Sequence, residues 1–447
     1  MGSMMQRMII RSGILVGLLA LPAALAAQEL PRPPATAGDS RAFPAPRMVE
    51  GEPVETRPPE KADDKPLFPE QTRAPYRASA PFKVTTLVDN LHVTWGMDFL
   101  PDGRILLTER LPGALRILDK NNVLSPPVQE IMSVAAGKEI VLLDVAVDPN
   151  FRRNHRIFFT FCDFVREPQL NDTNTMVGRA RLDGDKLSDV KVIFRGTPQW
   201  PAKGVGGKTG GRIVFGRDGN LFVTIGDRDT SPQTTIDWMA AQKLGNHLGK
   251  VIHITPDGAP APGNPFAGQP GAMPEIWALG LRSPEGLAVD PATGLIWESE
   301  LGPRGGDEIN IIKKGANYGW PVITHGMDYP GVPIGEGLTA KEGMEQPVYY
   351  WDPASDPAGI DFYRGNLFPQ WKNSLFVAMM NGKFLDRLTI ANNKVVAEEP
   401  LLADMNTRFR VVRVGPDGAV YVLTDSGTAN IGPNTPATSK LLKLTPR

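Results

Sequence analysis

Short apolar strands entered through tight turns recur from residue 101 to near the end of the chain. PDGRILLTE (101–109), DPNFRRNHRIFFTF (148–161), GRDGNLFVTIGD (216–227), DPATGLIWESE (290–300), GNLFPQWKNSLFVAMM (365–380) and GPDGAVYVLTD (415–425) share this grammar. Asp, Gly or Pro opens each turn, and β-branched or aromatic residues in near alternation follow, a hairpin-to-strand signal. The recurrences lie roughly 45–80 residues apart, which suits one four-stranded blade each, with insertions between some. Long 3.6-residue periodicity is almost absent, and 46 Gly with 43 Pro disfavour helical and α/β folds. Only residues 236–248 read as helical. The pattern predicts an all-β chain, a six-bladed β-propeller over residues 81–447, with an irregular β-sandwich as the competing arrangement.

The N-terminal region departs from this pattern. Arg7 and Arg11 precede the apolar run ILVGLLAL (14–21), and Ala24-Leu25-Ala26 supplies small residues for cleavage. Residues 1–27 therefore read as a cleaved signal peptide, which places the protein in the periplasm. Residues 28–80 are rich in Pro, Ala, Arg and Glu with few apolar clusters, so they read as an extended, disordered linker. The single cysteine, Cys162, has no internal disulfide partner, which suits a domain that relies on its core. The 48 basic and 49 acidic residues balance, so charge gives no signature for nucleic acid or an anionic membrane, and no later segment reads as a membrane span.

Candidate chemistry concentrates in residues 300–321, ELGPRGGDEINIIKKGANYGWP. Gly302, Gly305 and Gly306 beside Pro303 imply a sharp turn or a close backbone approach. Asp307 and Glu308 add hard oxygen ligands that suit Ca²⁺. The same residues also fit a tight loop with a solvated acidic pair.

The ordered segments WGMDFLPDGRILLTER, LLDVAVDPNF, GGRIVFGRDGNLFVTIGD, NHLGKVIHI, GPRGGDEINIIKKGANYGWP, YWDPASDPAGIDFY and RFRVVRVGPDGAVYVLTD resemble the soluble PQQ-dependent aldose sugar dehydrogenases of the glucose/sorbosone dehydrogenase family. The likeness runs from about residue 84 to the C-terminus. It implies a six-bladed propeller that binds pyrroloquinoline quinone (PQQ) at the channel mouth. It further implies a calcium ion that polarises the quinone, and a histidine that takes the substrate's hydroxyl proton. Carried over by motif, Arg408 and Arg410 match the pair that clamps the cofactor carboxylates, and two-residue spacing puts them on one strand face. Tyr329 matches an aromatic against the cofactor. Gly302 and Pro303 match the loop whose carbonyls hold the cofactor calcium, and Glu308 with the Tyr318 backbone matches a second calcium site. Asp227 matches the carboxylate that orients the catalytic histidine. Each position also has a purely structural reading, as a surface arginine, a packing tyrosine, a tight turn or a solvated glutamate.

Other positions are changed, and the changes cluster at the chemistry. Lys208, in KTGGR, replaces the family's histidine, and Glu139-Ile140-Val141 replaces a Gln-Gly-Gly run. Leu281-Arg282-Ser283-Pro284-Glu285 replaces His-Arg-Asn-Pro-Gln, so Ser283 takes the place of a cofactor-contacting asparagine. Leu301 replaces a histidine, and Asn381 stands where a lysine reaches the cofactor. An ordinary lysine is only about 0.04% free base at pH 7, so it is a poor proton acceptor. An ion pair of Lys208 with Asp227 or Glu139 is the structural reading, and a desolvated, catalytic Lys208 is the sharper one. Of the histidines, only His325 could face the same pocket.

Three functions follow from this reading. The first is PQQ- and Ca²⁺-dependent oxidation of an aldose sugar or related alcohol, with an unspecified electron acceptor. The second is a non-oxidative calcium propeller enzyme such as a lactone hydrolase, with Glu139, Asp227 and Glu300 as candidate ligands. The third is a non-catalytic periplasmic propeller that has lost PQQ.

Overall fold

A computed structural model describes residues 44–128, 130–131, 139–165, 171–199, 207–228, 237–425 and 437–447. The proposed signal peptide and residues 28–43 lie outside the described residues, as does the side chain of Glu139. Six small antiparallel sheets succeed one another along the chain and form a six-bladed β-propeller. Blade 1 comprises Val93–Phe99, Ile105–Leu111 and Ala114–Leu118; blade 2, Glu139–Val147, Arg156–Val165, Met176–Asp183 and Lys186–Arg195, with the short Asn171–Asp172 pairing on its second strand. Blade 3 holds Gly210–Phe215, Leu221–Ile225, Lys250–Ile254 and Ile276–Leu279, and blade 4 holds Pro284–Val289, Ile296–Glu300, Asp307–Ile312 and Tyr349–Trp351. Pro357–Phe362, Ser374–Met379, Leu385–Ala391 and Lys394–Leu401 make blade 5. Blade 6 closes the ring with both ends of the propeller: Arg408–Val414, Val420–Asp425 and Ser439–Pro446 are joined by Phe82–Leu91, paired from Phe82↔Pro446 to Leu91↔Ser439 with register shifts on either side of Val88.

Each turn-strand recurrence in the sequence is the first hairpin and second strand of one blade. Alternation explains how blades stack: one face of each sheet meets its predecessor and the other its successor. Phe159 and Phe161 pack with Leu106 and Leu115 at the first seam, and Trp297 packs with Phe362 between blades 4 and 5. Met97 and Leu107 close the ring against Val411 and Leu423.

Two sequence expectations fail. Residues 237–248 form no α-helix; Ala240–Gln242 is a single 3₁₀ turn. Its carbonyls are taken by the buried Lys250 amine, which donates to Ala240 O at 3.2 Å, Ala241 O at 2.9 Å and Leu248 O at 2.6 Å. A side chain from the next strand thus replaces the helical ladder. Residues 44–80 are not an extended linker either. They lie against blades 4 and 5 with Val54, Lys61, Gln71 and Ala74 buried, and Tyr76 bridges Glu398 in parallel beside the last strand of blade 5. Hydropathy missed this because the anchors are mostly hydrogen bonds: Lys61, for example, donates to Gly337 O at 2.8 Å.

Candidate functional site

Propeller geometry explains why residues distant in sequence meet. The first strands of all blades line the channel and run the same way, so their starts gather at one mouth. Glu139 begins the first strand of blade 2 and Arg408 that of blade 6, while Lys208 and Ser283 stand just ahead of those in blades 3 and 4. Second strands run back, so their ends reach the same mouth: Asp227 follows Ile225, Gly302-Pro303 follow Glu300, Asn381 follows Met379, and Asp425 ends blade 6's second strand. Tyr318 returns there too, its amide donating to Leu279 O at the end of blade 3's last strand at 2.9 Å.

Arg408 and Arg410 do share a strand face, since both reach Asp425. Arg410 Nη2 lies 2.7 Å from Asp425 Oδ2, and Arg408 Nε 3.8 Å from it. Arg408 also donates to the Asn381 side-chain oxygen, and Asn381 in turn donates to Asp356. Arg410 Nη1 stands 3.6 Å from Glu285 Oε2, and its guanidinium lies 4.4 Å from the Trp95 ring centroid. Arg110 and Arg212 approach the same indole at 5.1 and 5.5 Å. Arg212 is fully buried and fastens the inner strands together through Trp95 O at 2.7 Å, Arg410 O at 3.2 Å and Glu285 O. Ser283 Oγ is 3.4 Å from Glu285 Oε1. Burial holds the Glu285 carboxyl above the usual carboxylate range despite Arg410 and Arg212.

Lys208 is partly buried, with φ of 39°. Its carbonyl lies so close to Gly226 that a Cβ there would stand 1.9 Å from it, so Lys208 and Asp227 sit at one blade end. Asp227 is fully buried and accepts from Trp320 Nε1 at 2.8 Å.

Arg282, which sequence reasoning did not single out, ties this group together. Its Nη1 donates to Leu301 O at 2.8 Å and Gly302 O at 2.6 Å, and its Nη2 is 3.4 Å from Tyr329 Oη. Its carbonyl accepts from the Asp227 amide at 2.8 Å. Tyr329 is 59% exposed, on a rim turn where the Gly331 amide donates to Asp328 O. His325 is no substitute base. It is buried, its Nδ1 lies 2.9 Å from Asp64 Oδ2, and its ring stacks on Tyr350 at 3.9 Å.

The glycine loop proves to be a close-approach device. A Cβ on Gly302 would lie 2.2 Å from Gly305 O. Asp307 faces away from the cavity and knots the loop: its Oδ1 accepts from Gly302 N at 2.8 Å, and its Oδ2 from Ser355 N at 2.6 Å and Asp356 N at 2.7 Å. Glu308, next along the strand, points the other way. It lines a small cavity with Glu300, Gly302, Pro303, Tyr318, Trp320 and Thr324.

Behind that cavity Glu300 and Glu308 stand directly opposite each other on paired strands. The amide nitrogen of Asn310 lies 3.2 Å from Glu298 Oε2, 3.4 Å from Glu300 Oε1 and 3.2 Å from Glu308 Oε2. An NH₂ group has two protons, so three carboxylates cannot all be satisfied. Glu298 Oε1 and Asn310 Oδ1 are buried without a hydrogen bond. Burial, then the Glu300 charge, pushes Glu298 and Glu308 well above the carboxylate range, and burial pushes Glu300 up to about 7.

Among the described residues no three His, Cys, Asp or Glu side chains converge as a metal shell. The cavity instead offers two carboxylates and backbone carbonyls. That donor set suits a hard cation, and the orphaned oxygens of Glu298 and Asn310 beside it show that the carboxylate cluster lacks positive partners. The guanidinium on Gly302 O opposes a cation at that one carbonyl. For PQQ, the arginine pair fits an anionic ligand, although Asp425 and Glu285 already balance its charge.

The chain matches the sequence model of the family "Glucose / Sorbosone dehydrogenase" over residues 91–432. It is 36% identical to the aldose sugar dehydrogenase YliI of Escherichia coli over 375 residues, 83% of this chain and 95% of that one. A crystal structure of a glucose dehydrogenase superposes with a TM-score of 0.71 at 41% identity, covering 81% of this chain and 99% of that chain. The PQQ-bound form of the aldose sugar dehydrogenase from Streptomyces coelicolor superposes with a TM-score of 0.61 at 26% identity, over 82% and 98%. With its blades, its closure strand and its match to most of the chain in hand, this protein belongs to the glucose/sorbosone dehydrogenase family of propellers.

Proposed function

We propose that this protein is a PQQ- and Ca²⁺-dependent dehydrogenase of an aldose sugar or related alcohol, exported to the periplasm by residues 1–27. Among its described residues no helix is long and apolar enough to cross a membrane. The observation that carries this reading is the gathering of Arg408, Arg410, Ser283, Lys208, Asp227 and the Glu300–Glu308 cavity at one channel mouth. When bound, PQQ would supply the two-electron acceptor and Ca²⁺ the Lewis acid. Arg408 and Arg410 would hold carboxylates, and Glu308, Pro303 and the Tyr318 backbone would supply oxygen donors. Asp227, fixed by Trp320, would orient whatever side chain stands at position 208. A titration of the protein with PQQ and Ca²⁺ tests the reading. A shifted cofactor absorbance with sugar-dependent dye reduction is expected, and no cofactor uptake would overturn it.

Glu285 sets the cofactor affinity in this reading, because it adds a buried carboxylate to the pair that must hold an anion. Glu285→Gln is expected to tighten PQQ binding about tenfold or more, near 1.4 kcal/mol, in the same absorbance titration. Affinity unchanged by the substitution would remove Glu285 from the cofactor's surroundings. The arginines, already balanced by Asp425 and Glu285, also favour a second reading that needs no anionic cofactor, a calcium-dependent propeller hydrolase. Lactone hydrolysis without PQQ that is lost on chelation would support it.

A further inference from the structure

We infer that residues 55–73 form a built-in clamp on the loop between Pro303 and Gly337, with Lys61 and Asp64 as positioning residues for the cation-binding cavity. The inference deepens the calcium part of the proposed function and rests on it. The family match begins at residue 91, downstream of the whole clamp. The clamp grips the loop at Arg304, Thr324, His325 and Gly337. The Lys61 amine, with the residue 7% exposed, donates to Thr324 O at 3.2 Å and Gly337 O at 2.8 Å. The amides of Glu60 and Lys61 donate to the two oxygens of Asp352 at 2.9 and 3.2 Å. Glu60 Oε2 pairs with Arg304 at 2.6 Å, and Asp64 Oδ2 with His325 Nδ1 at 2.9 Å. Arg73 locks the clamp on itself and on blade 4, donating to Glu55 O at 2.9 Å, Arg57 O at 2.7 Å and Asp352 O at 2.9 Å.

These anchors connect to the cavity within one or two residues. Thr324 lines it with Gly302 and Pro303, and Arg304 follows Pro303 directly. A Cβ on Gly305 would stand 2.3 Å from Asp352 Oδ1, so the carboxylate held by the clamp also abuts the glycine turn. Arg304 and Met327 exchange backbone hydrogen bonds at 3.0 and 2.9 Å, carrying the constraint across the loop. Buried polar anchors specify one arrangement strongly, because losing a partner leaves the other group desolvated and unpaired. The 302–306 turn, knotted locally by Asp307, is thus also held from outside by Glu60, 244 residues before Arg304 in the chain.

The test compares full-length wild type with Asp64→Asn and Lys61→Met. Hydrogen exchange of the amides in residues 320–338 reads the loop, and calorimetric titration with Ca²⁺ alone reads the cavity. Both variants are expected to speed loop exchange about tenfold and to raise the Ca²⁺ half-saturation concentration about fivefold, with blades 1, 2 and 6 unchanged. Asp64→Glu, which keeps a carboxylate for His325, should recover part of both effects. A folded Asp64→Asn protein with wild-type loop exchange would overturn the clamp, as would a loosened loop with unchanged Ca²⁺ affinity. Failure of the wild type to take up PQQ, with both effects still present in the variants, would remove the oxidation reading and leave the clamp standing.

Discussion

Lys208→His should raise sugar oxidation by the PQQ-loaded protein about 10²-fold or more. A positioned general base contributes about 10²–10⁴ in rate, and an ammonium has no lone pair with which to accept a proton. The backbone there is ready for the exchange. Lys208 has φ of 39°, a left-handed conformation that histidine adopts more readily than most residues, and its carbonyl is fixed against Gly226. Asp227 follows that glycine, fully buried and held by Trp320. A carboxylate so placed can orient an imidazole and set its tautomer. The variant's rate should also acquire a pH dependence near the histidine range of about 6.5, falling on the acid side where the imidazole is protonated. The wild type, lacking that group, should show no such limb. Dye reduction against pH, with saturating PQQ and Ca²⁺, measures both effects. A variant that binds the cofactor yet gains nothing would show that the substituted Ser283 and Glu285 positions, rather than the missing base, limit the reaction.

The propeller was legible in the sequence because its signal is local and repeated. Each recurrence combines a turn that needs Asp or Gly with a strand that needs β-branched residues, so no partner has to be known in advance. The site residues came from the motif resemblance instead, and the structure adds why they meet: starts of first strands and ends of second strands share one mouth. What stayed hidden depends on partners far along the chain. Arg282 matters because its side chain bridges Gly302 and Tyr329, and Lys61 because it caps the carbonyls of Thr324 and Gly337. Neither relation leaves a periodic trace. Trp95 reads as an ordinary strand residue, and only the structure shows guanidinium groups of Arg110, Arg212 and Arg410 around it. The helix expected over 236–248 failed for the same reason, since Lys250 supplies from the next strand what a helix would have supplied from within. The Asp307-Glu308 pair was half legible. Strand alternation sends the two side chains to opposite faces, so one carboxylate knots the loop and the other serves the cavity.

The crowded carboxylates make stability depend on pH and Ca²⁺ together, and the sign is fixed by the direction of their shifts. Glu298 and Glu308 are raised well above their ordinary values, Glu300 to about 7, and Asp307 to about 8, burial being the largest cause in each. An acid raised on folding binds more protons in the folded state than in the unfolded chain. Stability of the calcium-free protein should therefore be greatest below about pH 4 for these groups and decline as pH rises toward 7–8, by about 1.4 kcal/mol per pH unit for each excess proton. Lys250 works the other way, since burial lowers it to about 7, and its contribution improves as pH rises above that value. Comparison with and without Ca²⁺ between pH 5 and 7 cancels Lys250, because it is common to both states. A cation among Glu300, Glu308 and the neighbouring carbonyls replaces the missing protons, so Ca²⁺ should stabilise little at pH 5 and strongly at pH 7. The slope against pH should flatten accordingly. Glu308→Gln removes one crowded carboxylate and, on the proposed function, one cation donor together. It should make the calcium-free protein less sensitive to pH while weakening Ca²⁺ binding about tenfold or more. Urea unfolding at each pH, with chelator or with millimolar Ca²⁺, resolves the two slopes. Parallel slopes would mean that protons alone neutralise the cluster, and that its charge crowding belongs to the scaffold rather than to a metal.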